Sequence, residues 1–73
     1  MTVTVAAVLA SPAFVVEATL SAIEEVARVN HQTPQLAMEA FLLEVPNVLA
    51  QVRKLVLAAA EHFANHLNNS QSV

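Results

Sequence analysis

The sequence predicts an all-α fold, a small helical bundle, and three observations predict it. Glycine is absent, as are cysteine, tyrosine and tryptophan; tight hairpins therefore lack their usual left-handed residue, and no disulfide or thiolate can staple the chain. Apolar residues recur at spacings of three and four along most of the chain, the helical rather than the strand period. Two pairs, Ser11-Pro12 and Thr33-Pro34, are helix starts: the hydroxyl accepts from a free backbone N–H of the first turn, and proline tolerates the first helical position.

Residues 2 to 5, TVTV, alternate polar and β-branched side chains, and AAVLA ends the alternation. A short extended apolar arm over residues 1–10 is expected, pairing with a partner chain or lying over a groove. Helix 1 should run from Pro12 to about Val29. Val16, Leu20, Ile23 and Ala27 form its inner stripe, while Glu17, Ser21, Glu24 and Arg28 share another face, with Glu24 and Arg28 four apart in the favourable order. NHQT, residues 30–33, is a polar turn of a length that sets neighbouring helices antiparallel.

Helix 2 is expected at about 34–45 and helix 3 at about 47–67, with Pro46 between them. Before Pro46 stands Val45, a poor cap, and no glycine is present to close the preceding helix. These facts favour one long helix bent at Pro46 over a tight break, in which Asn47 would cap a helix starting at Val48. Residues 68–73 show no periodicity and are expected to fray.

Met38, Leu42, Val45, Leu49, Val52, Val56, Ala59 and Phe63 follow strict four-three spacing, until His66 breaks the apolar run. Such a seam suits a partner helix, so these eight residues are the expected oligomer interface. Two further facts point to a homodimer. A 73-residue chain draws only about 3–5 kcal/mol from its own core, and its 56% hydrophobic content exceeds the ~45–50% usual for globular domains. A continuous helical arm from Pro34 to Leu67 would also reach about 50 Å, against about 27 Å for helix 1; that mismatch implies intertwined chains unless Pro46 folds the arm back.

Chemistry is sparse. The net charge of −3, with Arg28, Arg53 and Lys54 the cations, disfavours nucleic acid and anionic membrane surfaces. The uncharged run from Met1 to Val16 contains Thr2, Thr4, Ser11 and Pro12, too polar and short for a membrane span. No basic residue precedes it as a signal peptide would need, so the cytoplasm is the expected compartment.

His62 and His66 sit four apart on one helical face, the spacing that offers two imidazoles to a metal, and only Glu61 and His31 could add to them. The bland reading is a helix end whose cations suit the C-terminal dipole. Glu39 and Glu44, or Glu24 and Glu25, diverge rather than pair, so solvated faces explain them. Phe14, Phe41, Phe63 and Met38 are expected in core packing, since no basic residues interleave them.

The expected function is therefore that of a non-enzymatic, self-associating helical interaction module, an adaptor, docking or small regulatory protein. It needs no cofactor and would engage a protein partner. A metal-binding bundle on His62 and His66 is one alternative. The other comes from element order: TVTV, a helix, a polar turn and a helix opening at Thr33-Pro34 resemble the ribbon-helix-helix regulators over about the first 45 residues. That resemblance implies a DNA-binding regulator or antitoxin reading bases with Thr2 and Thr4 on its strand.

Overall fold

The computed structural model describes residues 2–71. Among these described residues four helices follow one another, α1 Val5–Leu9, α2 Pro12–Val29, α3 Pro34–Leu42 and α4 Pro46–Gln71. No strand occurs among the described residues. The fold is all-α, as composition and periodicity require.

Three helix starts share one device. The Ser11 hydroxyl accepts from the Phe14 N–H at 3.4 Å and the Thr33 hydroxyl from the Leu36 N–H at 3.2 Å. Thr4, with extended backbone (ψ 158), does the same for Ala7 at 3.1 Å. That third cap corrects the expected arm: extended backbone ends at Thr4, and Val5–Leu9 is helical. The alternation of TVTV is too short to outweigh a cap with two alanines, Ala6 and Ala7, in the turn it opens, alanine being the best helix former.

The helix ends are less conventional. After α2, His31 takes φ 55, Gln32 N–H bonds the Ala27 carbonyl at 2.8 Å, and His31 N–H bonds the Arg28 carbonyl at 3.4 Å. After α3, Glu44 takes φ 59, with Val45 N–H on the Ala40 carbonyl and Glu44 N–H on the Phe41 carbonyl, both at 3.0 Å. Both are Schellman closures, built on a histidine and a glutamate where glycine is usual.

This settles Pro46 against the bent helix favoured above. The chain breaks at residues 43–45, and α4 opens on Pro46, with the Val45 carbonyl accepting from Leu49 N–H at 3.0 Å. Proline at the first helical position forfeits no hydrogen bond. The length argument for intertwined chains falls with the continuous arm. At its other end α4 continues past the expected limit of Leu67 to Gln71; positions 72 and 73 of the expected frayed tail lie outside the described residues.

α4, 26 residues and thus about 39 Å long, is the spine of a body measuring 43 × 20 × 17 Å. α2 runs antiparallel to it, so that Val26 shares a cluster with Val48 and Val52 while Phe14 stacks on Phe63 near the other end. Against the first half of α4, Ala22, Ile23, Val26 and Ala27 of α2 and Ala37 of α3 close the main core. The second half meets α1, where Val8 packs on Ala60 and Ala64.

Two coverings at different azimuths explain why the seam does not stay on one side. The buried stripe of α4 passes from Val52 to Ala60, eight residues and hence about 80° round the helix. Val52, 3% exposed, belongs to the chain's own core, whereas Leu42 is 69% exposed beside the α3–α4 break. The expected stripe of α2 is corrected too: Ile23 and Ala27 are buried, but Val16 and Leu20 are 58% and 47% exposed. α2 approaches α4 through Ala22 and Val26 instead, small side chains that permit close packing.

Candidate functional site

The exposed half of that α2 stripe borders the principal concavity. Leu9 of α1, Thr19 of α2, Phe41 of α3 and Leu49, Val52, Arg53, Val56 and Leu57 of α4 line a hollow of about 510 Å³. Thr19 and Phe41 also line an adjoining hollow of about 250 Å³, with Val16, Leu20, Ile23 and Met38 among its walls. Together they make one groove to which all four helices contribute. Arg53 is the single charged side chain among these linings, and no carboxylate joins it.

The groove exists because α1 and α3 are too short to cover the spine all the way round. α3 has nine residues, so it caps the α2–α4 pair only near the main core, and Phe41 forms its inner edge. α1 has five and reaches the groove with Leu9 alone. Between them Val16, Leu20 and Leu57 have no covering side chain from their own chain sufficient to bury them, and remain more than a third exposed.

The expected interface residues divide around this feature. Met38, Leu49, Val52 and Val56 line the groove. Leu42 and Val45 lie exposed at the α3–α4 break. Ala59 lines a different hollow, beside Glu17, Ser21 and Glu25 of α2. Phe63 is spent on Phe14, ring centroids 5.5 Å apart and planes 21° from parallel, an arrangement worth about 0.5–1.5 kcal/mol beyond area burial. Sequence reasoning missed Leu9, Val16, Leu20 and Leu57 as groove residues. Their signal was available only as apolar residues left over once Ala22, Val26 and Ala60 had taken the core.

The chemical candidates do not converge. His62 and His66 are exposed on the second half of α4, and His31 closes α2 near the opposite end of the molecule. Among the described residues no three His, Asp or Glu side chains group in a way that could hold a metal ion. The helix pair expected between Glu24 and Arg28 forms with Glu25 instead: Arg28 Nε reaches Glu25 Oε2 at 3.1 Å, and Nη2 contacts Oε1. A guanidinium fork fits a carboxylate one turn back on either neighbour, and the two-pronged contact is the stronger. The hydrogen bond from Arg28 holds the Glu25 carboxyl below its ordinary range. Both groups are solvated, so the pair contributes little to stability.

The ribbon that a ribbon-helix-helix protein needs is missing among the described residues, since Thr4 caps a helix and Val5 begins it. No described helix is long and apolar enough to cross a membrane. Comparison with protein-family models, with curated proteins and with solved structures gives no significant match in any of the three.

Proposed function

We propose that this chain is a non-enzymatic, cytoplasmic protein–protein interaction module that self-associates through the apolar groove. The carrying observation is surface left over after folding. The chain exposes 5282 Å², whereas a compact monomer of 7.8 kDa would expose about 4,400 Å². The excess of about 900 Å² is close to the roughly 800 Å² that each partner buries in a standard interface. The body is drawn out along α4, with a radius of gyration of 13.8 Å against about 11 Å for a compact chain of this length, so the excess is spread along its length and the groove is the apolar part of it.

A second copy is the economical occupant, because an isologous pairing covers the same apolar patch on both chains at once. Of the seam expected above, Met38, Leu49 and Val56 remain interface residues in this reading, joined by Val16, Leu20 and Leu57. Val52 belongs to the floor and is a folding residue first. The net charge of −3 supports a protein rather than a nucleic-acid partner, and a groove with Arg53 as its one ionised lining residue offers no acid–base pair for catalysis.

Sedimentation equilibrium on the native chain and on Leu57→Asp tests this. The native chain should sediment at twice its 7.8 kDa mass. Leu57→Asp should keep its helical circular dichroism yet lose about 2 kcal/mol or more of association energy, at least about thirtyfold in Kd. Val52→Asp, by contrast, should unfold the chain and is no probe of the interface. A native chain that stays at 7.8 kDa at millimolar concentration refutes the proposal.

A further inference from the structure

The N-terminal segment is held down by two kinds of contact and put to use by a third. At its start, the side-chain amide of Asn68 accepts from the Val3 N–H at 2.7 Å and donates from Nδ2 to the Val3 carbonyl at 3.0 Å. A single amide thereby satisfies both backbone polar groups of one residue, and reads backbone alone. Six residues on from Thr2, Val8 is 5% exposed against Ala60 and Ala64, whose small side chains let α1 lie close to α4. The next residue, Leu9, is turned about 100° away and forms one wall of the apolar groove.

α1 has five residues, far below the roughly 12–15 at which an isolated helix becomes even marginal in water. It is therefore helical only while docked. Undocking it removes Leu9 from the groove, exposes Ala60 and Ala64, and leaves a loose apolar segment beside the surface that a partner would use.

We infer that the Asn68 clamp governs self-association: the second copy binds the groove completed by Leu9, so arm docking and dimerisation are thermodynamically linked. This rests on the self-association reading above, and the occupant is a second copy for the reason given there, the match between excess surface and the area each partner of a dimer buries. If docked protomers alone associate, each contributes its docked fraction, and the apparent Kd equals the intrinsic one divided by the square of that fraction. By reciprocity, dimerisation must tighten the arm.

The test uses the full chain and two readouts, hydrogen exchange of the arm and sedimentation. Asn68→Leu keeps side-chain bulk and does not weaken α4, leucine being the better helix former, while removing both hydrogen bonds, which should reduce protection of the Val8 amide about tenfold or more. Protection of Val26, in the main core, should not change and reports that the fold is intact. Kd should rise as the inverse square of the docked fraction, and in the native chain Val8 protection should increase with protein concentration. Asn68→Asp, which retains the acceptor for Val3 N–H but not the donor, provides a second variant should the first fold poorly.

Unchanged Val8 protection in both variants would overturn the clamp. A freed arm with unchanged Kd would overturn the linkage and leave self-association standing, whereas a native chain that remains monomeric overturns both.

Discussion

Glu44→Gly should stabilise this protein, and the sign of the effect decides between two backbones. Glu44 sits at φ 59 in the closure of α3, a region that costs an L-residue about 1–2 kcal/mol and glycine almost nothing. Against that gain, glycine frees the unfolded chain by about 0.4–1 kcal/mol. The net expectation is about 0.5–1 kcal/mol of added stability. For a domain of this size each kcal/mol moves Tm by about 4–8 °C, so Tm should rise by about 2–8 °C.

If residues 34–71 formed one helix bent at Pro46, position 44 would be helix interior. Glycine would then cost about 1 kcal/mol relative to alanine, and Tm would fall by a comparable amount. Thermal melts followed by far-ultraviolet circular dichroism, at one fixed protomer concentration because association shifts Tm, read this directly. Glu44→Ala is the control: it removes the same charge but keeps the unfavourable φ, and should show no gain. A lower Tm for Glu44→Gly than for Glu44→Ala would refute the break at residues 43–45.

The other predictions concern a helix start and the Glu25–Arg28 ion pair. Thr33→Ala removes the acceptor for Leu36 N–H and should cost about 1 kcal/mol, measured by urea denaturation. Restoring the cap as Thr33→Ser should recover most of it. Glu25 should titrate below an ordinary glutamate in carboxyl-detected NMR, because Arg28 donates to its ionised form, and Arg28→Gln should return it toward the usual value. The sign follows from linkage: a carboxyl lowered in the folded state adds stability above its unfolded pKa, and loses it as pH falls through the folded value. With both groups solvated, this loss should be slight beside the effect of the backbone substitutions.

Legibility tracked the range of the interaction concerned. At Ser11-Pro12 and Thr33-Pro34 a side chain reaches a backbone group three residues away, so four letters of sequence contain both partners. Both helix starts are therefore readable. Val16 and Leu20 are different: they are as apolar as Ile23, and periodicity cannot tell them apart. Ile23 is buried because α3 turns back over it, while Val16 and Leu20 lie where α3, nine residues long, has ended. The groove is thus a statement about how far a neighbour reaches.

Pro46 illustrates the same boundary from inside one segment. Absence of glycine argued against a helix closing before it, yet His31 and Glu44 both close helices at positive φ. Local propensity disfavours each closure by an amount that packing of α3 and α4 against α2 can offset. The seam of four-three spacing likewise was real as a pattern, but its residues were divided among the core and groove, the exposed α3–α4 break, a second hollow and a ring stack.

The sequence by itself determined that the chain is helical, where α2 and α3 begin, and that its apolar content is large for a protein of its size, since each of these depends on neighbours along the chain. Only the tertiary structure decided that Val3 meets Asn68 across 65 positions, that α4 turns its buried stripe between Val52 and Ala60, and that Leu9 joins Leu57 at the edge of a groove. Those outcomes depend on which helix lies against which face, and that is set by the summed packing of all four helices rather than by any local run of residues.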